Sequence, residues 1–541
     1  MTTEAPSQEV PADDPEKKKG FKFPTAFTVL FFVLLLVWGL TFIVPSGSYA
    51  YVSCEGEEPK PIPQSYEQLE TDSSLYERIS DLVLSPVNGL YGVQEGQEVN
   101  PDPSAQLQEE ATKACDGGEA EVYEGAGLIS PYESGELFGA VNVFFFVLAI
   151  GAFITVTMNT GALDAGIGRL THRFRSRGPT LIIVLMFVFS LGGTTYGMAE
   201  ETLGFYALIV PIFVALKYDR IVGATVILLG AGTGTLASTV NPFATGVASA
   251  GANVPLGDGI VLRVLMYLIL VPISMWFVLR YAKKVRNDPS KSLMKALPDD
   301  EGLAADEAEP PSMSGRQKAV LWVFGLTFLL MIFSVIPWGD FSDSLVSITL
   351  DWYFPELAAL FLIMSVVVGL IGRLGEEGMV DSIVAGMGDF IGAAFIIAFA
   401  KGVTVIMNNA QITDTVLSSL EGAVSNLSGA AFGVLMYIVN IPLALLVPSS
   451  SAHATLAMPI MAPLGDFAGV SRAVVVTAYQ SASGLVNLFT PTSAVVMGGL
   501  TLAKVGYDKY IRFVWPLLLI LFVLSCVLIG IGSVTAIGGS V

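Results

Sequence analysis

Two histidines and three cysteines in a chain of 541 residues leave little material for a metal centre or for imidazole catalysis. No HExxH, GxSxG or phosphate-binding glycine motif occurs, so the chain reads as something other than an enzyme with no cofactor of its own. Charge is scarce as well: 14% of residues are charged, where a soluble protein carries about a quarter. No basic stripe exists, which excludes a nucleic-acid partner. The alternating ten-residue pattern of an outer-membrane barrel is also missing. What the chain has in excess is apolar surface. It is 53% hydrophobic, in repeated runs of about 20 residues, the pattern of a polytopic helical membrane protein surrounded by lipid.

The net charge of −20 belongs to one segment. Between Pro45 and Gly139 stand 19 Asp and Glu against Lys60, Arg78 and Lys113, while the remainder is nearly balanced. Basic clusters at Lys17–Lys22, Arg169–Arg177, Lys217 with Arg220, Lys283–Arg286 and Arg316 with Lys318 mark the cytoplasmic side. They place the amino terminus inside, the acidic segment outside and the carboxyl terminus outside, in a cytoplasmic (inner) membrane. Cys54 and Cys115 both fall in the acidic insert, where a disulfide is chemically permitted and two unpaired thiols are the alternative. Cys526 lies in an apolar run.

The expected organisation is a cytoplasmic tail over 1–24, a first transmembrane helix over 25–44, the acidic extracellular insert over 45–138, and the rest of a first repeat over 139–281. A cytoplasmic linker over 282–317, a linking helix over 318–338, a second repeat over 354–533 and an extracellular tail over 534–541 complete it. The charged run Arg373–Asp389 is expected as an interfacial helix or, failing that, a cytoplasmic loop. Residues 180–216 have basic clusters on both sides, so both ends must be cytoplasmic. Two short runs meeting at "GGTTYGMAEET" (Gly192–Thr202) then form a re-entrant hairpin. A second pair of short runs, within 431–467, meets at "VPSSSAHAT" (Val447–Thr455) and enters from outside.

The chain lies over itself at one offset. "TVTMN" (Thr155–Asn159) and "TVIMN" (Thr404–Asn408), Asn241–Pro242 and Thr490–Pro491, and Arg263 and Arg512 are each 249 residues apart. Crossings counted from the amino terminus make the copies inverted. Inverted repeats with discontinuous helices at matching positions characterise secondary transporters. The fold class expected is therefore an all-α polytopic membrane protein of two inverted repeats, each with a re-entrant hairpin and a broken transmembrane helix.

The breaks carry the candidate chemistry. "LASTVNPFATG" (Leu236–Gly246) sets Pro242 among Ser238, Thr239, Asn241 and Thr245, and "VNLFTPTSAVV" sets Pro491 among Asn487, Thr490, Thr492 and Ser493. Proline removes an N–H from the helix ladder, and freed carbonyls at membrane depth are tolerated where they line a cavity or bind a cation. With Ser451 these oxygens suit sodium; a proton is the other coupling ion. Half-helix N-termini favour a substrate carboxylate. The first hairpin tip offers Thr194, Thr195, Glu200 and Glu201; the second offers Ser449, Ser450 and His453. His453 is either a proton exchanger or a neutral hydrogen-bonding residue. Thr194, Thr195, Glu200, Glu201, Asn241, Ser449, Ser450, His453, Thr490 and Thr492 form the expected substrate set. Lys401 reads as a counter-charge or a snorkelling side chain. Asn159 and Asn408 read as helix caps, and His172, Asp164 and Asp414 carry no assigned role.

"GGTTYGMAEET", "TVNPFATG", "VPSSSAHATLAMPIMAPL" and "NLFTPTSAVVMGG" resemble the YfcC-like branch of the anaerobic C4-dicarboxylate carrier family, within the ion transporter superfamily. The resemblance covers roughly 20–45 and 139–533. It implies a scaffold plus a moving transport domain, elevator-type movement, and often a homodimer. It also implies a site between the hairpin tips (Thr194, Thr195, Glu200, Glu201, Ser449, Ser450, Ser451) and the breaks (Thr239, Asn241, Pro242, Thr490, Pro491, Thr492). The acidic insert departs from the compact external loop expected of such a family. The reading is an ion-coupled carrier of a small carboxylate-bearing solute, a C4-dicarboxylate or an amino acid such as arginine or ornithine. Glu200 and Glu201 suit a cationic amino acid, and no arginine stands at either tip to clasp a dianion. A channel and a receptor with an external acidic domain are the alternatives.

Overall fold

The computed structural model describes residues 26–54, 60–70, 74–94, 98–115, 120–124, 129–130, 136–137, 141–174, 177–199, 202–294, 312–336, 338–341, 343–350, 352–424, 427–447, 449–491 and 493–539. The helices are α1 (Ala26–Leu40), α2 (Leu75–Tyr91), α3 (Ala105–Ala114), α4 (Val141–Asn159), α5 (Ala162–Phe174), α6 (Gly178–Thr195), α7 (Leu203–Ala215), α8 (Arg220–Leu236), α9 (Val247–Gly251) and α10 (Ile260–Asn287). They continue with α11 (Gly315–Val335), the single turn α12 (Trp338–Phe341), α13 (Phe354–Gly372), α14 (Gly375–Asn409), α15 (Thr413–Val424), α16 (Gly429–Leu446), α17 (Ser450–Phe467), α18 (Arg472–Asn487), α19 (Ala494–Leu502) and α20 (Tyr507–Gly532). Among the described residues seven of these are long and apolar enough to cross a membrane: α4, α6, α10, α11, α13, α14 and α20. The protein is a multi-pass helical membrane protein.

Two sequence expectations need correction. The chain is not all-α: the insert carries short strands β1 (Gly47–Ser48), β2 (Tyr51–Cys54), β3 (Lys60–Pro61), β4 (Glu67–Gln68), β5 (Val93–Gln94), β6 (Glu98–Val99), β7 (Ala120–Glu124), β8 (Ile129–Ser130) and β9 (Glu136–Leu137). They form small sheets ordered β1-β4, β3-β2-β7-β6 and β8-β5-β9. In the largest, β2 runs antiparallel to β7 with Tyr51 opposite Tyr123 and Cys54 opposite Ala120. Alternating Val52 and Val122 pack with Ile62 and Ala111 into a small core, the two-residue period that helical pattern reading passes over. Cys115 closes α3 and is disulfide-bonded. Cys526 is free, and the side chain of Cys54, the other half of the expected pair, lies outside the described residues. Secondly, Arg373–Asp389 is neither a separate interfacial helix nor a loop. From Gly375 it continues unbroken into the following span as the 35-residue α14, because no proline interrupts the run.

The insert is not a freestanding module either. Its helix α2 lies along the apolar end of α14, with glycines at the contact. A Cβ on Gly89 would meet the backbone of Ala398, Lys401 and Gly402 well inside 3.0 Å, and one on Gly402 would meet the Ser85 carbonyl at 2.8 Å. Asn409 donates to Asp81 at 2.8 Å at the mouth of this groove. Lys401 is buried on α14 beside α2.

The root of the insert is fastened to α15. Asp414 accepts the Tyr49 N–H at 2.9 Å and the Tyr51 hydroxyl at 2.8 Å. Glu421 accepts the Tyr49 hydroxyl at 2.7 Å and the Gln64 N–H at 2.9 Å. The Tyr49 ring also rests on Phe467 at the end of α17, 5.3 Å between centroids. Burial pushes the Asp414 carboxyl above its ordinary range, opposed by these donors. A carboxyl with a raised folded value favours the folded state at low pH and loses that advantage as pH rises through it, so docking is firmest on the acidic side. Asp414→Ala leaves a buried amide and hydroxyl unpaired. It is expected to cost about 1–3 kcal/mol of insert docking, read as a lower thermal midpoint and faster proteolysis within 45–138 than in wild type.

The remaining helices form two similar groups. In one, Tyr218 lies against Gly178 at the start of α6, accepts from Arg286 at 3.2 Å at the end of α10, and precedes α8; Tyr281 donates to Asp219. The start of α6, end of α7, start of α8 and end of α10 thus meet at one place. In the other, Gly429 and Gly433 of α16 meet Val470 and Ser533, and Gly465 of α17 meets Val470 and Val475. There the start of α16, end of α17, start of α18 and end of α20 meet. A third group, α4, α11 and α13, packs through Phe146, Phe153, Phe324, Phe328, Phe354 and Phe361.

Candidate functional site

α8 stops at Leu236, and residues 237–241 have no helical ladder. The chain restarts at Pro242 with one widened turn, Pro242–Gly246, that leads into α9. Pro242 therefore opens the second half-helix and does not itself form the gap. Asn241 caps that half: its Oδ1 accepts from the N–H groups of Phe243 at 2.8 Å and Ala244 at 3.2 Å.

The gap is filled by the turn between α6 and α7. The Gly192 carbonyl accepts the N–H groups of Tyr196, Gly197 and Met198, which folds the tip back on itself. Thr194 then reaches across. Its hydroxyl donates to the Ala237 carbonyl at 2.8 Å, and its carbonyl accepts the N–H groups of Thr239 at 3.2 Å and Val240 at 3.3 Å. Asn241 Nδ2 donates to the Gly193 carbonyl at 3.4 Å. Gly197, with φ +78°, is the close approach that lets this happen: a Cβ there would sit 2.7 Å from Asn241 Oδ1. The first tip and first break, separated by some forty residues of sequence, are one hydrogen-bonded unit.

The second break follows α18. Leu488 and Phe489 turn, Thr490 donates its N–H to Val486 at 2.9 Å, and Ser493 caps α19 by accepting from Val496 at 3.4 Å. Pro491 is exposed and Thr490 is buried. Ser449 caps α17, accepting from Ala452 at 3.4 Å. Ser450, beside it, takes contacts from α18: Tyr479 donates to its carbonyl, and Ser483 and Asn487 approach its Oγ at 3.3 and 3.5 Å. Ser451 is buried with its Oγ 3.4 Å from that of Ser449. His453 is buried one turn further on, edge-on to Tyr479.

The two units are tied together by Gln480. From α18 its Nε2 donates to the Ser238 carbonyl at 2.8 Å, and its Oε1 accepts the Thr245 hydroxyl at 2.5 Å. Ser238 and Thr245 share a hydroxyl contact of 2.6 Å. Gly232 lies against Leu488 and Gly484 against Leu236, so α8 and α18 cross antiparallel near their C-terminal ends. Phe243 stacks on Phe390 of α14 at 5.4 Å, and Tyr196 rests on Phe328 of α11 at 5.6 Å.

Thr194, Ser238, Thr239, Asn241 and Thr245 thus converge around the first break, and Ser449, Ser450, Ser451, His453, Asn487, Thr490 and Ser493 lie at the second tip and break. Thr195 does not join them, because its hydroxyl turns back to the Leu191 carbonyl at 2.6 Å. Glu200, Glu201 and Thr492 lie outside the described residues. Asn159 donates to Ser382 at 2.9 Å and Asn408 accepts from Thr413 at 2.7 Å, so both act as cross-links. Gln480, Tyr479 and Ser483 were missed by motif reading, since α18 reads as an ordinary small-residue span. The signal available was a glutamine inside a helix of small and apolar residues. Among the described residues no group of three or more His, Cys, Asp or Glu side chains could hold a metal ion.

The sequence profile of the C4-dicarboxylate anaerobic carrier family matches residues 23–534. This protein belongs to that family. Carriers transport and do not transform their solutes, so the chain is a transporter and not an enzyme. An uncharacterized protein of Haemophilus influenzae is 31% identical over 528 residues, covering 96% of this chain and 98% of that one. The Escherichia coli (strain K12) protein "Putative basic amino acid antiporter YfcC" is 32% identical over 426 residues, 75% of this chain and 81% of its own. Two solved structures share the carrier's fold: the YdaH transporter of Alcanivorax borkumensis (TM-score 0.63, 14% identity, 94% of this chain and 98% of that one) and Neisseria gonorrhoeae MtrF, described among antimetabolite efflux pumps (TM-score 0.63, 15% identity, 95% and 96%).

Proposed function

We propose that this carrier is a secondary active transporter of a small carboxylate-bearing solute, built from two inverted repeats whose broken helices hold solute and coupling ion between the hairpin tips. The observation that carries the reading is the crossing at Gln480, where the unwound segment after α8 is held from α18 while each tip is held by its own broken helix. Unwound backbone at membrane depth fits a shared binding pocket and little else.

Several contacts support the inversion. Shifting α6 to α10 by 249 residues lays them onto α16 to α20 within a few residues. Reciprocal arginines reach across: Arg220, first in α8, donates to the Ala503 carbonyl at the end of α19 at 3.3 Å, and Arg472, first in α18, donates to Ala252 at the end of α9 at 3.2 Å. Each cation meets the negative end of the other copy's half-helix. An antiparallel crossing fits hairpins that open to opposite faces. Supporting an elevator, the hairpin groups meet α11 and α14 through apolar ring contacts, Tyr196 tilted on Phe328 and Phe243 stacked on Phe390. In this reading α4, α5, α11 and α13 to α15 are scaffold, and α6 to α10 with α16 to α20 move. The amino terminus lies inside the inner membrane, the insert and carboxyl terminus outside, and two copies pair.

For the solute, a basic amino acid is favoured by the YfcC relative and by Glu200 and Glu201; a C4-dicarboxylate is the second reading, from the family's description. Trans-stimulated exchange of labelled arginine and of labelled succinate in proteoliposomes tests both. A channel shows neither exchange, and a receptor binds without flux. Asn241→Ala and Thr490→Ala are each expected to lower uptake about tenfold, roughly 1.4 kcal/mol in the barrier, with folding retained by thermal unfolding. Wild-type uptake in both removes the breaks from the pocket.

A further inference from the structure

His453 is a buried ring with unmet hydrogen-bonding capacity. It is 1% exposed, and neither Nδ1 nor Nε2 has a hydrogen-bond partner among the described residues. The His453 backbone N–H donates to the Ser449 carbonyl at 2.9 Å, which places the residue one turn behind the tip serines. Its neighbour is Tyr479, 4.8 Å between centroids and close to perpendicular at 76°. The Tyr479 hydroxyl is committed to the Ser450 carbonyl, and Ser483 and Asn487 gather at the Ser450 hydroxyl. The imidazole therefore backs the polar rim of the second tip, and a buried polar ring is kept by a protein when something else satisfies it.

The charged and titratable groups on the elements packed against α17 have other places. Tyr479 is the one in ring contact. Lys401 on α14 lies beside α2, and the remaining acids of α14, Glu376, Glu377, Asp381 and Asp389, stand on its opposite half. Asp414 and Glu421 on α15 hold the insert. Arg472 at the start of α18 pairs with Asp466 at the end of α17 at 2.6 Å, Lys60 lies on β3, and Tyr437 on α16 faces Phe522. The widened turn and α9 carry no titratable side chain.

We propose that His453 is the proton-carrying group of this carrier. One ring nitrogen takes a proton from water on the side to which the pocket is open, and releases it to water on the other side after the pocket has turned. Imidazole changes charge within the ordinary range of cellular pH. A buried imidazolium needs an anion, and a carboxylate seated at Ser450, Ser483 and Asn487 supplies one. Proton and carboxylate therefore load together, each raising the occupancy of the other. The inference rests on the carrier reading and names its coupling ion and residue.

The chain has two histidines, which makes the test direct. Full-length protein labelled with ¹⁵N-histidine shows two imidazole sets, and His172→Gln assigns them. Saturating arginine or succinate is expected to convert the His453 ring from neutral to imidazolium. In proteoliposomes an imposed proton gradient is expected to change wild-type flux of the exchanged probe by at least about fivefold, and flux through His453→Gln, at whatever rate it runs, is expected to ignore the gradient. A His453 ring that keeps one charge state with and without the exchanged probe overturns the proposal, as does a gradient response that survives in His453→Gln. Wild-type exchange with no gradient response overturns the proposal alone. Absence of exchange with both probes overturns the carrier reading and the proposal with it.

Discussion

Gly193→Ala is expected to abolish transport. The Cβ it adds would fall well inside 3.0 Å of the Ala231 carbonyl and would press on the Thr235 N–H at 3.0 Å, both helix backbone that cannot rotate away. Overpacking of this kind costs typically about 1–3 kcal/mol and occasionally more. Here the strain falls one residue before Thr194, whose hydroxyl and carbonyl fill the gap after α8. Relief requires α6 to move off α8, which withdraws the tip and reopens the unwound carbonyls. Exchange should drop to background, and the thermal midpoint should fall. Gly325→Ala is the control: no atom lies within 4 Å of its added Cβ, and α11 should gain slightly from lost backbone freedom in the unfolded chain. Exchange in Gly193→Ala at the wild-type rate would show that the tip need not meet the break.

Gln480→Leu is expected to lower exchange by about a hundredfold, roughly 2.7 kcal/mol, while leaving the fold in place. Leucine has similar bulk in a fully buried position. It can neither donate to the Ser238 carbonyl nor accept from Thr245, so two buried polar groups lose their partner across the crossing of α8 and α18. Gln480→Glu separates shape from bonding, because it keeps the acceptor for Thr245 and loses the amide donor to Ser238. A partial loss there and a full loss in leucine would apportion the two bonds. Flux in Gln480→Leu equal to wild type would mean that the first break does not depend on the second group of helices.

Much of this architecture was legible in the chain. Apolar runs gave the spans, and proline with small polar residues marked the two interruptions. The pairing of Thr194 with the segment after α8 was visible only as the expectation that tips face breaks. The insert was read least well. Its strands are two to five residues long, and its docking depends on Asp414, which looks like any acid near a helix start until Tyr49 and Tyr51 are placed against it. The continuity of α14 was misjudged because a charged amphipathic run resembles an interfacial segment, yet without a proline the backbone simply continues.

The sequence by itself determined the helical membrane class and the neighbourhoods where helices are interrupted, because each depends on local hydropathy or on proline set among small polar residues. Tertiary structure alone decided that Gln480 of one half holds Ser238 and Thr245 of the other, that the His453 ring lies behind Ser450 with no hydrogen-bond partner among the described residues, and that α2 lies in a glycine groove on α14. These contacts join segments dozens to hundreds of residues apart. Local periodicity carries no record of such pairings; packing selects them once the helices are assembled.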